Sequence, residues 1–167
     1  MDPFARLGVE PKFSVDLVEL ERVHRELSAT LHPDRHVQAL PAERRRALEE
    51  AVEVNEAWRV LRDPIRRAEA LLGLRGAANS GEGAGPSIAF LQEMLERREE
   101  LEAARRGGPA LRDRLAREVS RAFDATRDAL AGALDSGAAG GSSPGVLLAE
   151  LRFHRRLLDE IASLEDD

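Results

Sequence analysis

The residues best placed to do chemistry are His32, Pro33 and Asp34, an imidazole and a carboxylate either side of a ring that holds its own φ at about −65°. A general acid-base pair is one reading, and it describes a small helical hydrolase using His32 and Asp34. Catalysis of that kind also needs a nucleophile, an anion-stabilising group and a pocket that excludes water, and the sequence identifies none. His32 and His36 have the spacing of two metal ligands on one helical face, but Pro33 breaks the helix that the spacing requires, so no metal or other cofactor is expected. The plain alternative is a helix stop, with Asp34 capping whatever follows and His32 near the carbonyl end of the preceding helix. The chain has no cysteine, which excludes disulfides, thiolate metal sites and cysteine nucleophiles together.

The flanking elements read as helices. From Ser14, the apolar positions Leu17, Leu20, Val23, Leu27 and Leu31 recur at helical spacing, and Pro33 should end that helix. A second helix starts near Pro41 and carries Leu48, Ala51, Val52, Asn55, Trp58 and Leu61 along one broad face. Trp58 and Leu61 are expected to pack the core of this half. Asp63-Pro64 reads as a cap and first-turn proline for a short helix that Gly76 ends. Residues 77–86 are rich in glycine and aperiodic, and mark a domain boundary. Three further helical segments follow, approximately Ser87 to Arg105, Pro109 to Leu134 and Val146 to Leu164, and their short connections favour a three-helix bundle. On the first of them Phe90, Met94 and Leu101 suit the bundle core; on the second, Leu111, Leu115, Val119, Phe123, Thr126 and Leu130 form the apolar stripe. The expected architecture is all-α, in two small domains covering 1–76 and 87–167.

The 167 residues carry a net charge of −6, with 13 basic and 14 acidic side chains in residues 1–76 and 12 against 17 beyond. Phosphate backbones and anionic membranes call for a basic surface, so neither nucleic acid nor membrane is an expected ligand. No apolar run approaches the ~20 residues of a membrane span and no leader pattern opens the chain, which points to the cytoplasm.

The segments DPFARLGV, LHPDRH and VNEAWRVLRDP, in that order within about 70 residues, resemble a J-domain: a helical hairpin whose loop bears the His-Pro-Asp motif. The continuation RRAEALLGLRG, then a linker and FLQEMLERREELE, resembles the HscB type of J-domain co-chaperone, and the absence of a cysteine extension points to the bacterial type. The resemblance implies an L-shaped molecule, a J-domain joined to a three-helix bundle. It implies a co-chaperone that is not itself an enzyme, which stimulates the ATPase of a DnaK/HscA-type heat-shock chaperone and delivers an IscU-type iron-sulfur scaffold protein to it. A J-domain co-chaperone with a different client is the nearest alternative.

By the same resemblance the chaperone-binding set is His32, Pro33, Asp34 and Arg35 with Arg22 and Arg25 on the preceding helix, where Ala29 stands in place of a further cation. The scaffold-binding set is Leu91, Leu95, Glu96, Glu99 and Phe153. Helical geometry puts Leu91 and Leu95 one turn apart with both glutamates on an adjoining face. Gln92 and Ala103 depart from the apolar and acidic residues of the family pattern.

Overall fold

The computed structural model describes residues 1–36, 38–76, 87–136 and 142–164. They form seven α-helices: α1 (Pro3–Leu7), α2 (Leu17–Thr30), α3 (Pro41–Arg62), α4 (Pro64–Leu74), α5 (Ile88–Gly107), α6 (Pro109–Asp135) and α7 (Pro144–Ser163), with a 3-10 turn at Pro33–His36 between α2 and α3. No strand occurs among the described residues. The chain divides into two compact units, Met1–Ala77 and Ala78–Asp167. The expected linker at 77–86 lies outside the described residues.

In the first unit local chemistry sets the helix ends. Asp2, Asp16 and Asp63 each accept hydrogen bonds from two backbone N–H groups of the turn that follows, which satisfies donors with no partner inside the helix. Gly8, at φ 65°, closes α1 with a left-handed turn that suits a residue without a Cβ. α2 ends at Thr30, ahead of Pro33, as expected.

The core of this unit joins Phe4 and Leu7 of α1, Phe13, Leu20 of α2, Val54, Ala57 and Leu61 of α3, and Ala68 and Leu71 of α4. Here one expectation fails. On α3 the inward side is Ala47, Val54, Ala57 and Leu61, whereas Leu48, Val52 and Asn55 are exposed. Side-chain size favoured Leu48 and Val52, but α3 is packed by both α1 and α2, and small residues let helix axes approach closely. Leu61 is fully buried; Trp58 is only half-buried and stacks on His24 of α2, centroids 5.1 Å apart. His24 Nε2 also lies 3.0 Å from Asn55 Oδ1, so one imidazole ties the two arms of the hairpin together. On α2 only Leu20 is fully buried, with Val23 and Leu27 half-buried and Leu17 exposed; Leu31, which caps its end, is half-buried.

The second unit is a bundle of α5, α6 and α7. Arg97 of α5 pairs with Glu118 of α6 at 2.9 Å, and Arg155 of α7 sits over the Phe123 ring of α6 at 5.0 Å. At the far end Arg112 of α6 bonds the Leu164 carbonyl. α6 thus runs antiparallel to both partners, which leaves α5 and α7 parallel. The core gathers Leu101, Ala104, Leu115, Val119, Leu157 and Ile161, and continues through Leu130, Leu134, Val146 to Leu148 and Leu151. Phe90 and Leu101 point inward as expected. Leu111, at the start of the expected α6 stripe, is exposed: it stands in the first turn and lies at the surface beside Ala103 of α5.

Candidate functional site

Two surfaces emerge, one in each unit. The first is the turn after α2. A 3-10 turn begins at Pro33, and the Arg35 N–H donates to the His32 carbonyl at 3.0 Å, so the loop is braced by its own backbone. The Asp34 N–H donates to His32 Nδ1 at 3.3 Å, and the Asp34 carboxylate lies 3.5 Å from the same nitrogen. Both side chains face solvent, at 59% and 87% exposure. Asp34 does not cap α3, contrary to the helix-stop reading. That helix begins after Leu40, whose N–H donates to Glu43 Oε2 at 3.2 Å. The imidazole and the carboxylate are therefore oriented together without serving the start of α3.

Beside the loop, Leu31, Pro33, Arg44, Ala47 and Leu48 line a small apolar notch of about 250 Å³. Neither His32 nor Asp34 lines it, so this notch does not enclose the pair as a small-substrate site would. No group of three His, Cys, Asp or Glu able to hold a metal occurs among the described residues.

Arg22 and Arg25 stand on α2, both exposed, but neither is a bare cation. Arg22 bonds Glu19 and Glu26, one turn to either side, and Arg25 pairs with Glu21. The Arg22 hydrogen bond holds the Glu19 carboxyl below the usual carboxylate range, and the two glutamates in turn raise Arg22 further above its own. A partner using this face must compete with the helix's own carboxylates. Arg35 is exposed and makes no ion pair among the described residues.

The second surface is a groove between the parallel helices α5 and α7, about 360 Å³, walled by Leu91, Met94, Leu95, Phe153 and Leu157. α6 packs against both helices, and α5 and α7 meet below the groove, where Phe90 touches Phe153 and His154 edge-on, at 5.6 and 5.8 Å, and where Leu101 joins Leu157 and Ile161 in the core. Leu91 and Leu95 remain 46% and 67% exposed. Glu96 and Glu99 are exposed on the neighbouring flank of α5 and do not line the groove. Of the five residues expected for client binding, three thus share one opening and two edge it. Met94, expected in the core, is half-buried and forms part of the groove wall.

Comparison with known proteins follows this division. A family model described as "DnaJ domain" matches residues 2–70, and one described as "HSCB C-terminal oligomerisation domain" matches 87–162. A co-chaperone protein HscB homolog from Bordetella avium is 36% identical over 167 residues, covering 98% of this chain and 97% of the relative. The chain belongs to the HscB co-chaperone family. A second HscB homolog, from Cupriavidus taiwanensis, is also 36% identical, over 99% and 96% of the two chains. The solved chaperone HscB from Vibrio cholerae superposes with a TM-score of 0.82 at 29% identity, over 99% of this chain and 98% of that one. Human co-chaperone HscB shares the fold, with a TM-score of 0.83 at 21% identity over 99% and 82%.

Several residues of this HscB-family protein escaped the sequence reading. Arg98, Arg156 and Glu160 stand at the groove, yet on a helical wheel they are ordinary surface charge, and only the pairing of α5 with α7 brings them together. His154 is buried between Phe90 and Phe153, and burial depresses its pKa below the ordinary histidine value, with Glu93 opposing and Arg97 adding to the shift. Its position in register with Leu151 and Leu157 was the available signal. No described helix is long and apolar enough to cross a membrane.

Proposed function

We propose that this HscB-family co-chaperone works in iron-sulfur cluster assembly in the cytoplasm. It stimulates the ATPase of a DnaK/HscA-type chaperone through His32, Pro33, Asp34 and Arg35, with Arg22 and Arg25 assisting on α2. The bundle carries an IscU-type scaffold protein, which docks on Leu91, Leu95 and Phe153 with Glu96 and Glu99 at the edge. ATP hydrolysis shifts the chaperone to a state that holds client tightly, and a co-chaperone that binds both proteins raises the effective concentration of that client at that moment.

The observation that carries this reading is the state of the His32–Asp34 pair: braced by the loop backbone, highly exposed, and not capping α3. Polar groups held in one geometry at little cost to the fold suit recognition by a partner. The apolar groove in the second unit supplies a separate place for a client.

Steady-state ATP turnover by the cognate chaperone tests the proposal. The chain should accelerate it, and added scaffold should accelerate it further. His32→Gln and Asp34→Asn should abolish stimulation with helical content and melting unchanged. Normal stimulation by both variants would refute the role of the loop. Absence of any scaffold binding at tens of micromolar would refute the client and favour a co-chaperone with another one.

A further inference from the structure

We infer that Arg156 sets the specificity of the α5–α7 groove, selecting a partner segment that brings a carboxylate alongside its apolar side chains. This rests on the reading of the groove as the scaffold-docking site.

Five groove residues are apolar, and three charged groups complete the lining: Arg98, Arg156 and Glu160. Glu160 lies 4.0 Å from Arg98 and offsets it. Arg156 is exposed and makes no ion pair among the described residues. The opening therefore carries one unbalanced positive charge, in the half of the chain where acidic side chains outnumber basic ones 17 to 12. A guanidinium beside an apolar wall sees a lower effective dielectric once a docked partner expels water, and its fork suits a carboxylate held by two bonds.

The opposite edge has the opposite sign. Glu96 and Glu99 are exposed on the flank of α5 that adjoins Leu91 and Leu95, outside the groove lining itself. A segment lying across the site meets acid on the α5 side and base on the α7 side. It is accepted in one orientation, with its own base toward α5 and its own carboxylate toward α7, and repelled in the reverse. The apolar wall supplies affinity, and Arg156 supplies direction.

Calorimetric titration of the full chain with the IscU-type scaffold tests this. Arg156→Gln should raise Kd about 3- to 10-fold, and Arg156→Glu more, with the loss shrinking at high salt and the melting temperature unchanged. Changing the scaffold's exposed acidic residues to amides one at a time should find one whose loss weakens wild type as much and adds little to Arg156→Gln. If Leu95→Ala weakens binding while Arg156→Glu leaves Kd unchanged or tightens it, the inference is overturned and the groove reading stands. If Leu95→Ala and Phe153→Ala also bind normally, the groove reading falls and this inference with it.

Discussion

Leu95→Ala separates binding from stability, because the side chain lies in the client groove yet contributes little to the core. Fully burying a leucine is worth ~2 kcal/mol. Leu95 is 67% exposed in the free protein, so docking can remove at most about two-thirds of its surface from water, ~1.3 kcal/mol by the same scale. At 1.4 kcal/mol per tenfold, the scaffold Kd should rise about 8-fold. Leu91, 46% exposed, should lose ~0.9 kcal/mol on the same basis, about a 4-fold change. Independent effects would multiply to roughly 30-fold for the double variant, and departure from that product measures how far the two leucines share one contact on the partner. The free chain should lose less than ~0.5 kcal/mol of stability, since an exposed leucine leaves no cavity and alanine favours the helix. Phe153→Ala is the contrast, because that ring also packs against Phe90 and the Leu101 cluster; it should lower both affinity and melting temperature. Calorimetry for Kd and circular dichroism for melting give both readouts. A Kd unchanged within twofold for the double variant would refute docking at this groove. A melting temperature reduced as much by Leu95→Ala as by Phe153→Ala would refute the packing on which the estimate depends.

Three more outcomes follow from the same structure. Asp63 receives N–H bonds from Ile65 and Arg66 at 2.9 and 3.0 Å, so Asp63→Ala should cost ~1 kcal/mol. Denaturant melts of the first unit's transition would show it as a lower midpoint. Glu26→Gln removes one of the two carboxylates that hold Arg22; the concentration of co-chaperone giving half-maximal ATPase stimulation should fall about 2-fold at low salt and converge with wild type at high salt. An unchanged concentration at low salt would remove Arg22 from the chaperone contact. His154 has its pKa lowered by burial, so the folded state disfavours its protonated form. Its contribution is intact above the ordinary value of 6.5 and is lost as pH falls from there through the depressed folded value. Glu150, raised by burial and by Glu93, acts with the opposite sign as pH rises from 4.5, so the comparison must be between variants. Thermal melts of wild type should drop more steeply below pH 6.5 than those of His154→Leu, and parallel curves would show that the imidazole is not buried neutral.

The family and its loop were legible because they depend on short-range signals. Pro33, Pro41 and the Asp63-Pro64 pair act on the residues immediately next to them, and the helix ends there fall close to where those rules place them. The order of DPFARLGV, LHPDRH and VNEAWRVLRDP carried the J-domain assignment with no knowledge of packing. On α5, spacing alone separated Leu91 and Leu95 from Phe90 and Leu101, and the structure keeps that division.

What a sequence ranks by side-chain size went wrong where a helix has more than one neighbour. Periodicity limits which residues share a face, but the partner helices choose the face, and α1 and α2 together selected Ala47, Val54 and Ala57 over Leu48 and Val52. Composition likewise reported an acidic second half without revealing that Arg98, Arg156 and Glu160 would meet at one opening. Helix existence, helix ends and the exposed His-Pro-Asp turn were thus determined by the sequence itself, through contacts between residues a few positions apart. The groove, the burial of His154 and the opposed charges at the docking surface were decided only by tertiary structure, because each depends on residues about 60 positions apart that come together when α5 lies beside α7.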